Sequence, residues 1–157
     1  MESIRELYRL GNGPSSSHTM GPRKAAEVFK ERYPTAIKYR IVLFGSLAAT
    51  GKGHLTDIAL QKALSPVPVE IIWKPNERLP FHPNGLQFEA FLSNGEMSEP
   101  WQVFSLGGGA ISDGNTSQRK DFYDLNTLTE IMSRCDKKGQ GFWEYVEESE
   151  GEEIWVF

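Results

Sequence analysis

Along the first half of the chain, apolar positions follow two rhythms. Ile4, Leu7 and Tyr8 fall at helical spacing, so a short helix is expected over residues 3–10, stopped by the breaker cluster Gly11-Asn12-Gly13-Pro14. A second helix is expected to begin near Pro22, where the missing N–H would have no partner anyway, and to bury Ala25, Ala26, Val28 and Phe29 before Pro34. Between the two lies the polar loop Pro14-Ser15-Ser16-Ser17-His18-Thr19. Residues 37–45 (IKYRIVLFG) read as a strand through their β-branched and aromatic content, and a glycine-containing loop then leads into a helix over residues 53–64.

The second half changes character. Residues 67–73 are strand-like, and residues 86–92 and 97–106 flank Asn94-Gly95, the strongest short hairpin signal. Gly107-Gly108-Gly109 interrupts the run, residues 112–119 are irregular and polar, and residues 125–135 and 142–148 carry helical patterns. The expected fold is α/β in the layered α+β sense: a mixed, largely antiparallel sheet with helices packed on it. The acidic stretch 147–153 ends in Ile154-Trp155-Val156-Phe157, and an apolar end of this kind needs something to pack against. The expectation is a single domain over residues 1–157 whose chain continues past this end or whose end docks a partner.

Composition narrows the functions. A length of 157 residues with 39% hydrophobic and 24% charged residues suits one ordinary core. Seventeen Lys plus Arg against twenty-one Asp plus Glu leave a net charge of −4, and no basic arm or stripe is present, so phosphate-neutralising nucleic-acid binding is not expected. No apolar run approaches the roughly 18 residues that a membrane span needs, and the start MESIRELYRL lacks a secretory pattern, so a cytoplasmic location is expected. Cys135 is the only cysteine, which excludes an internal disulfide and a metal cluster held by this chain's thiolates alone.

Four segments carry candidate chemistry. The serine-rich loop precedes a helix start, where free backbone N–H groups and the helix dipole favour an anion, although capping by Ser17 or Thr19 and a solvated His18 would explain the same residues. Gly45 to Gly53 follows a strand as a nucleotide-binding loop would. Five residues rather than four separate Gly45 from Gly51, however, and Gly53 stands where a magnesium-binding hydroxyl belongs. His54 and Asp57, three apart, can share a helix face, with the carboxylate either orienting the imidazole or capping the helix. His82 sits in Pro80-Phe81-His82-Pro83-Asn84-Gly85, a stiff turn. The four tryptophans, Trp73, Trp101, Trp143 and Trp155, read as core or interface residues.

Taken in order, Gly13-Pro14-Ser15-Ser16-Ser17-His18-Thr19-Met20-Gly21-Pro22, then Gly45-Ser46-Leu47 through Thr50-Gly51-Lys52-Gly53-His54 and Thr56-Asp57, resemble the β domain of iron–sulfur-dependent L-serine dehydratases. His82-Pro83-Asn84-Gly85 and Ser105-Leu106-Gly107-Gly108-Gly109-Ala110-Ile111 continue the likeness, which thins after Ile111. The resemblance implies a lyase that turns L-serine into pyruvate and ammonia with a [4Fe–4S] cluster and without pyridoxal phosphate. The cluster would sit on a partner α domain or subunit and not on this chain, whose residues 1–157 would be a β domain that is part of a longer chain or one subunit of a two-chain enzyme. It further implies His18, His54 and His82 as catalytic residues, and Ser16, Ser17, Thr19, Asp57 and Asn84 as substrate-binding ones, with the proton-abstracting histidine left open. A homo-oligomer is expected, with no membrane partner, and the chain by itself is expected to be inactive. The family's β domain is also similar to the allosteric substrate-binding domain of some phosphoglycerate dehydrogenases, so a regulatory module binding serine or another small carboxylate is the alternative.

Overall fold

Tyr39, Ile41 and Leu43 alternate along one strand and are all buried, which makes that strand, β1 (Ala36–Phe44), the centre of the core. In the computed structural model, residues 3–7, 14–114 and 122–156 are described. They fall into two compact units, residues 10–117 and residues 1–9 with 118–157.

The first unit holds one five-stranded sheet of order β2-β1-β3-β4-β5, with β2 Val69–Lys74, β3 Gly85–Leu92, β4 Trp101–Gly107 and β5 Ala110–Ser112. Only β1 and β2 run parallel, with Ile41 opposite Ile71, while β1–β3, β3–β4 and β4–β5 are antiparallel. The sheet is therefore mixed and largely antiparallel, as expected. Helix α1 (Gly21–Arg32), α2 (Gly45–Thr50) and α3 (Thr56–Leu64) supply Phe29, Leu47, Leu60 and Leu64 to the core, against Ile41, Leu43, Leu86, Phe88 and Val103. Lys38 and Arg40, the residues that alternate with the buried ones on β1, pair instead with Glu70 and Glu89.

Three departures from the sequence expectation shape the site. Residues 45–50 form a helix, not a loop: Gly45 turns out of β1 at φ 51, Ser46 donates its N–H to the Pro83 carbonyl at 3.2 Å, and Leu47 and Ala48 are buried. The next helix begins at Thr56 instead of Gly53, because Leu55 is left-handed (φ 58) and breaks the helical path. Regular pairing of β4 starts at Trp101, after Pro100, which has no N–H for the ladder; Met97 makes only an isolated bridge to Phe91. The Gly107-Gly108-Gly109 break is the turn between β4 and β5, with φ of 99, 56 and 76. The predicted stop at Gly11–Gly13 and part of the polar segment 112–119 lie outside the described residues, as do Tyr8–Leu10 and Phe157.

In the second unit Ile4–Leu7 form a 3₁₀ turn, and α4 (Leu128–Lys138) and α5 (Phe142–Glu150) pack through Tyr123, Ile131, Cys135 and Tyr145. A capping box sets the start of α4: the Thr127 hydroxyl accepts from the Glu130 N–H, and the Glu130 carboxylate accepts from the Thr127 N–H at 3.0 Å. The buried Glu150 carboxylate accepts from Tyr123 Oη (2.6 Å), Ser3 Oγ (2.7 Å) and the Ile4 N–H (2.9 Å). These bonds hold it below the ordinary carboxylate range although burial pushes the other way.

Candidate active site

The serine-rich segment is a wound turn. Ser15 is extended (φ −144, ψ 129) and its hydroxyl accepts the His18 N–H, and residues 16–20 form a short, wide π-helical turn that runs straight into α1. Two contacts seat this turn on the sheet. The Gly108 N–H donates to Ser16 Oγ at 3.3 Å. At Gly21 the backbone lies so near β4 that an added Cβ would stand 2.0 Å from Ser105 Oγ.

His18, half-buried, lies between two hydroxyls: Ser17 Oγ is 2.9 Å from Nδ1 and Ser46 Oγ is 3.2 Å from Nε2. A hydroxyl can donate or accept, so this ring is free to hold its proton on either nitrogen. Burial pushes its pKa below the ordinary histidine value, the neighbouring His54 pushes the same way, and the hydrogen bond with Ser46 opposes them.

The His54 ring centroid is 4.8 Å from that of His18, with the planes inclined at 36°. Its Nδ1 lies 3.0 Å from the Thr50 carbonyl. A carbonyl only accepts, so Nδ1 must carry hydrogen, and in the neutral ring the lone pair belongs to Nε2. Asp57 plays no part in orienting this imidazole: its Oδ1 accepts the Ile58 N–H at 2.9 Å in the first turn of α3. Thr19 Oγ1 donates to the His54 carbonyl (2.9 Å) and Thr56 Oγ1 to the His18 carbonyl (2.6 Å).

His82 has the opposite tautomer. The Asn84 N–H donates to its Nδ1 at 3.1 Å, so in the neutral ring Nε2 carries the hydrogen. Asn84 brackets Ser105, giving its side-chain N–H to the Ser105 carbonyl (3.3 Å) and taking the Ser105 N–H on its own carbonyl (3.0 Å). The His82 loop touches the His18 surroundings through the Pro83 carbonyl and the Ser46 N–H, and no direct contact links His82 to either other imidazole among the described residues. The fold thus joins His18, His54, Ser16, Ser17 and Thr19 in one place, sets Asn84 and His82 in the adjoining loop, and leaves Asp57 as a helix-end group.

Ser46 and Thr56 are the partners that sequence reasoning missed. Both lie within conspicuous segments, yet nothing in their spacing says that one hydroxyl reaches the His18 ring and the other its carbonyl, respectively 28 and 38 positions away.

Among the described residues no set of side chains is grouped as an iron–sulfur cluster would need. Cys135 is buried in α4, its sulfur 3.9 Å from the Gly141 carbonyl, and no group of three His, Cys, Asp or Glu side chains is placed to share a metal ion among the described residues. No helix among those residues is long and apolar enough to cross a membrane.

The chain is similar to L-serine dehydratase TdcG of Escherichia coli (29% identity, covering 88% of this chain and 41% of that protein) and to L-serine dehydratase of Mycobacterium bovis (32%; 86% and 39%). It is likewise similar to L-serine dehydratase of Helicobacter pylori (30%; 92% and 42%). The chain spans about two fifths of the length of these curated relatives. The model of the serine dehydratase beta chain family matches residues 3–68 and 63–116, a range that takes in the serine-rich turn, all three histidines and the glycine hairpin: the chain belongs to that family.

Proposed function

We propose that this chain supplies the imidazoles and the carboxylate-binding hydroxyls for deamination of L-serine to pyruvate and ammonia, on an enzyme completed by a second domain or subunit that holds the [4Fe–4S] cluster. The observation that carries this reading is the His18–His54 pair, 4.8 Å apart and set beside a serine-lined helix start. Such a start offers backbone N–H groups and hydroxyls to a carboxylate. An imidazole whose Nδ1 hydrogen is tied to a carbonyl offers Nε2 as a proton acceptor, so His54 is the better base of the pair.

The reaction removes the α proton and the β hydroxyl of serine as water, and the resulting aminoacrylate tautomerises and hydrolyses to pyruvate and ammonia. In this division of labour Ser16 and Ser17 hold the substrate carboxylate at the turn, and His54 Nε2 takes the α proton. His18, held neutral by burial, adds no competing positive charge. His82 offers Nε2–H as a donor from the adjoining loop. None of these steps needs a thiolate from this chain, in keeping with its single buried cysteine.

Replacing His54 or His82 by Ala in the assembled enzyme tests the reading. Loss of kcat by about 10²-fold or more supports a role in the transition state, since a positioned acid or base typically contributes 10²–10⁴. Unchanged kcat with a lost response to serine or another small carboxylate would favour a regulatory binding module instead.

A further inference from the structure

Two hydroxyl bonds tie the histidine-bearing segments together in opposite directions. Thr19 reaches from the serine-rich turn to the carbonyl of His54, and Thr56 reaches from the start of α3 to the carbonyl of His18. Both residues are out of water, at 3% and 0% exposure, so solvent cannot take over either bond. Each histidine therefore has its backbone anchored by a residue beside the other.

Leu55 adds a second, independent observation. It stands between His54 and Thr56 at φ 58, the only non-glycine residue with positive φ among the described residues, and its side chain is 46% exposed. Burial does not hold it there. Strained backbone persists where its surroundings over-determine it, and here the residue before it is held through its carbonyl by Thr19 while the residue after it is held on His18.

We propose that Thr19 and Thr56 are positioning residues, a reciprocal hydroxyl-to-carbonyl clamp that holds the His18 and His54 imidazoles side by side. The proposal rests on the reading that this pair acts on substrate, and it moves Thr19 from contacting substrate to fixing the geometry of the pair. A purely structural role would change stability and leave the relation of the two rings intact; a positioning role would change that relation in the folded protein.

Thr→Val keeps the side-chain shape and removes the donor, whereas Thr→Ser keeps the donor. The test is NMR of the ring protons in the 157-residue chain. The wild type should show a cross-peak between the His18 and His54 rings and a His18 midpoint below 6.5. Thr56→Val and Thr19→Val should lose the cross-peak and raise the His18 midpoint above that of the wild type, as the neighbouring ring withdraws and burial lessens. Thr56→Ser should keep both. Folded Val variants with an unchanged cross-peak and midpoint would overturn the clamp. Should the Val variants fail to fold, the native chain decides: the Thr19 and Thr56 hydroxyl protons should exchange slowly with water, and rapid exchange of either overturns the proposal.

In the assembled enzyme, Thr56→Val should lower kcat about tenfold or more with KM little changed, because small misplacements of reacting groups have large effects on rate, and Thr56→Ser should recover it. Wild-type kcat in a Thr56→Val enzyme whose ring cross-peak is lost would overturn the positioning role. An intact clamp by NMR alongside full activity of His54→Ala would instead sink the catalytic reading and leave the geometry standing.

Discussion

The Thr50 carbonyl decides what the His54 ring can do, because a group that only accepts leaves hydrogen on Nδ1 and the lone pair on Nε2. His18 has no such constraint, lying between two hydroxyls that can each face either way. Its depressed pKa has a consequence for stability. The unfolded chain binds a proton at His18 more readily than the folded one, so the stability associated with its neutral form is complete above 6.5 and is lost as pH falls through the lower folded value. The expected result is that His18→Asn loses less melting temperature than the wild type when pH is lowered from about 7.5 to about 5, as followed by thermal denaturation; an identical loss in both proteins would contradict it. At this level the sequence was informative about identity and silent about pairing. The serine-rich and glycine-rich motifs drew attention to His18 and His54, but they are 36 positions apart and meet only because α3 packs against the turn that precedes α1. The pairing of His54 with Asp57 that three-residue spacing suggested fails, because Leu55 breaks the helix between them.

The turn, the hairpin and α1 stay together through two glycine positions with different physics. At Gly108 an added Cβ would meet nothing within 4 Å, so only the left-handed φ of 56 matters. Gly108→Ala should lower unfolding stability by about 1–2 kcal/mol in a denaturant titration. At Gly21 the obstacle is steric, with Ser105 Oγ 2.0 Å and Ser105 Cβ 2.9 Å from the added atom. Gly21→Ala should lose about 1–3 kcal/mol by overpacking. Combining it with Ser105→Gly should lose less than the sum of the two single changes, a coupling that a double-mutant cycle reads directly. Strands were the most legible elements, since the β-branched and aromatic content of residues 37–45 marked β1 closely and Asn94-Gly95 marked the turn between β3 and β4, although β4 itself begins four residues later than expected. Short helices were the least legible: α2 has only six residues, too few for a periodic signal, and begins at a glycine that usually marks a loop.

The chain forms two compact units, carries a single, buried cysteine and brings two of its three histidines side by side. The family match covers residues 3–116, which include every candidate histidine, while α4 and α5 lie beyond it. The layered α+β fold was legible because sheet and helix periods are distinct along most of the sequence. The division into two units was not read from the sequence, although composition shifts there: all nine prolines lie between Pro14 and Pro100, and charged residues concentrate beyond residue 118. The most direct measurement is pyruvate release from L-serine, made anaerobically on this chain alone and on this chain combined with the cluster-bearing domain or subunit. The expected result is turnover in the combined sample only, abolished by His54→Ala. Turnover by the chain alone, or full turnover in the combined sample carrying His54→Ala, would contradict the assignment of this chain as the imidazole-supplying part of the enzyme.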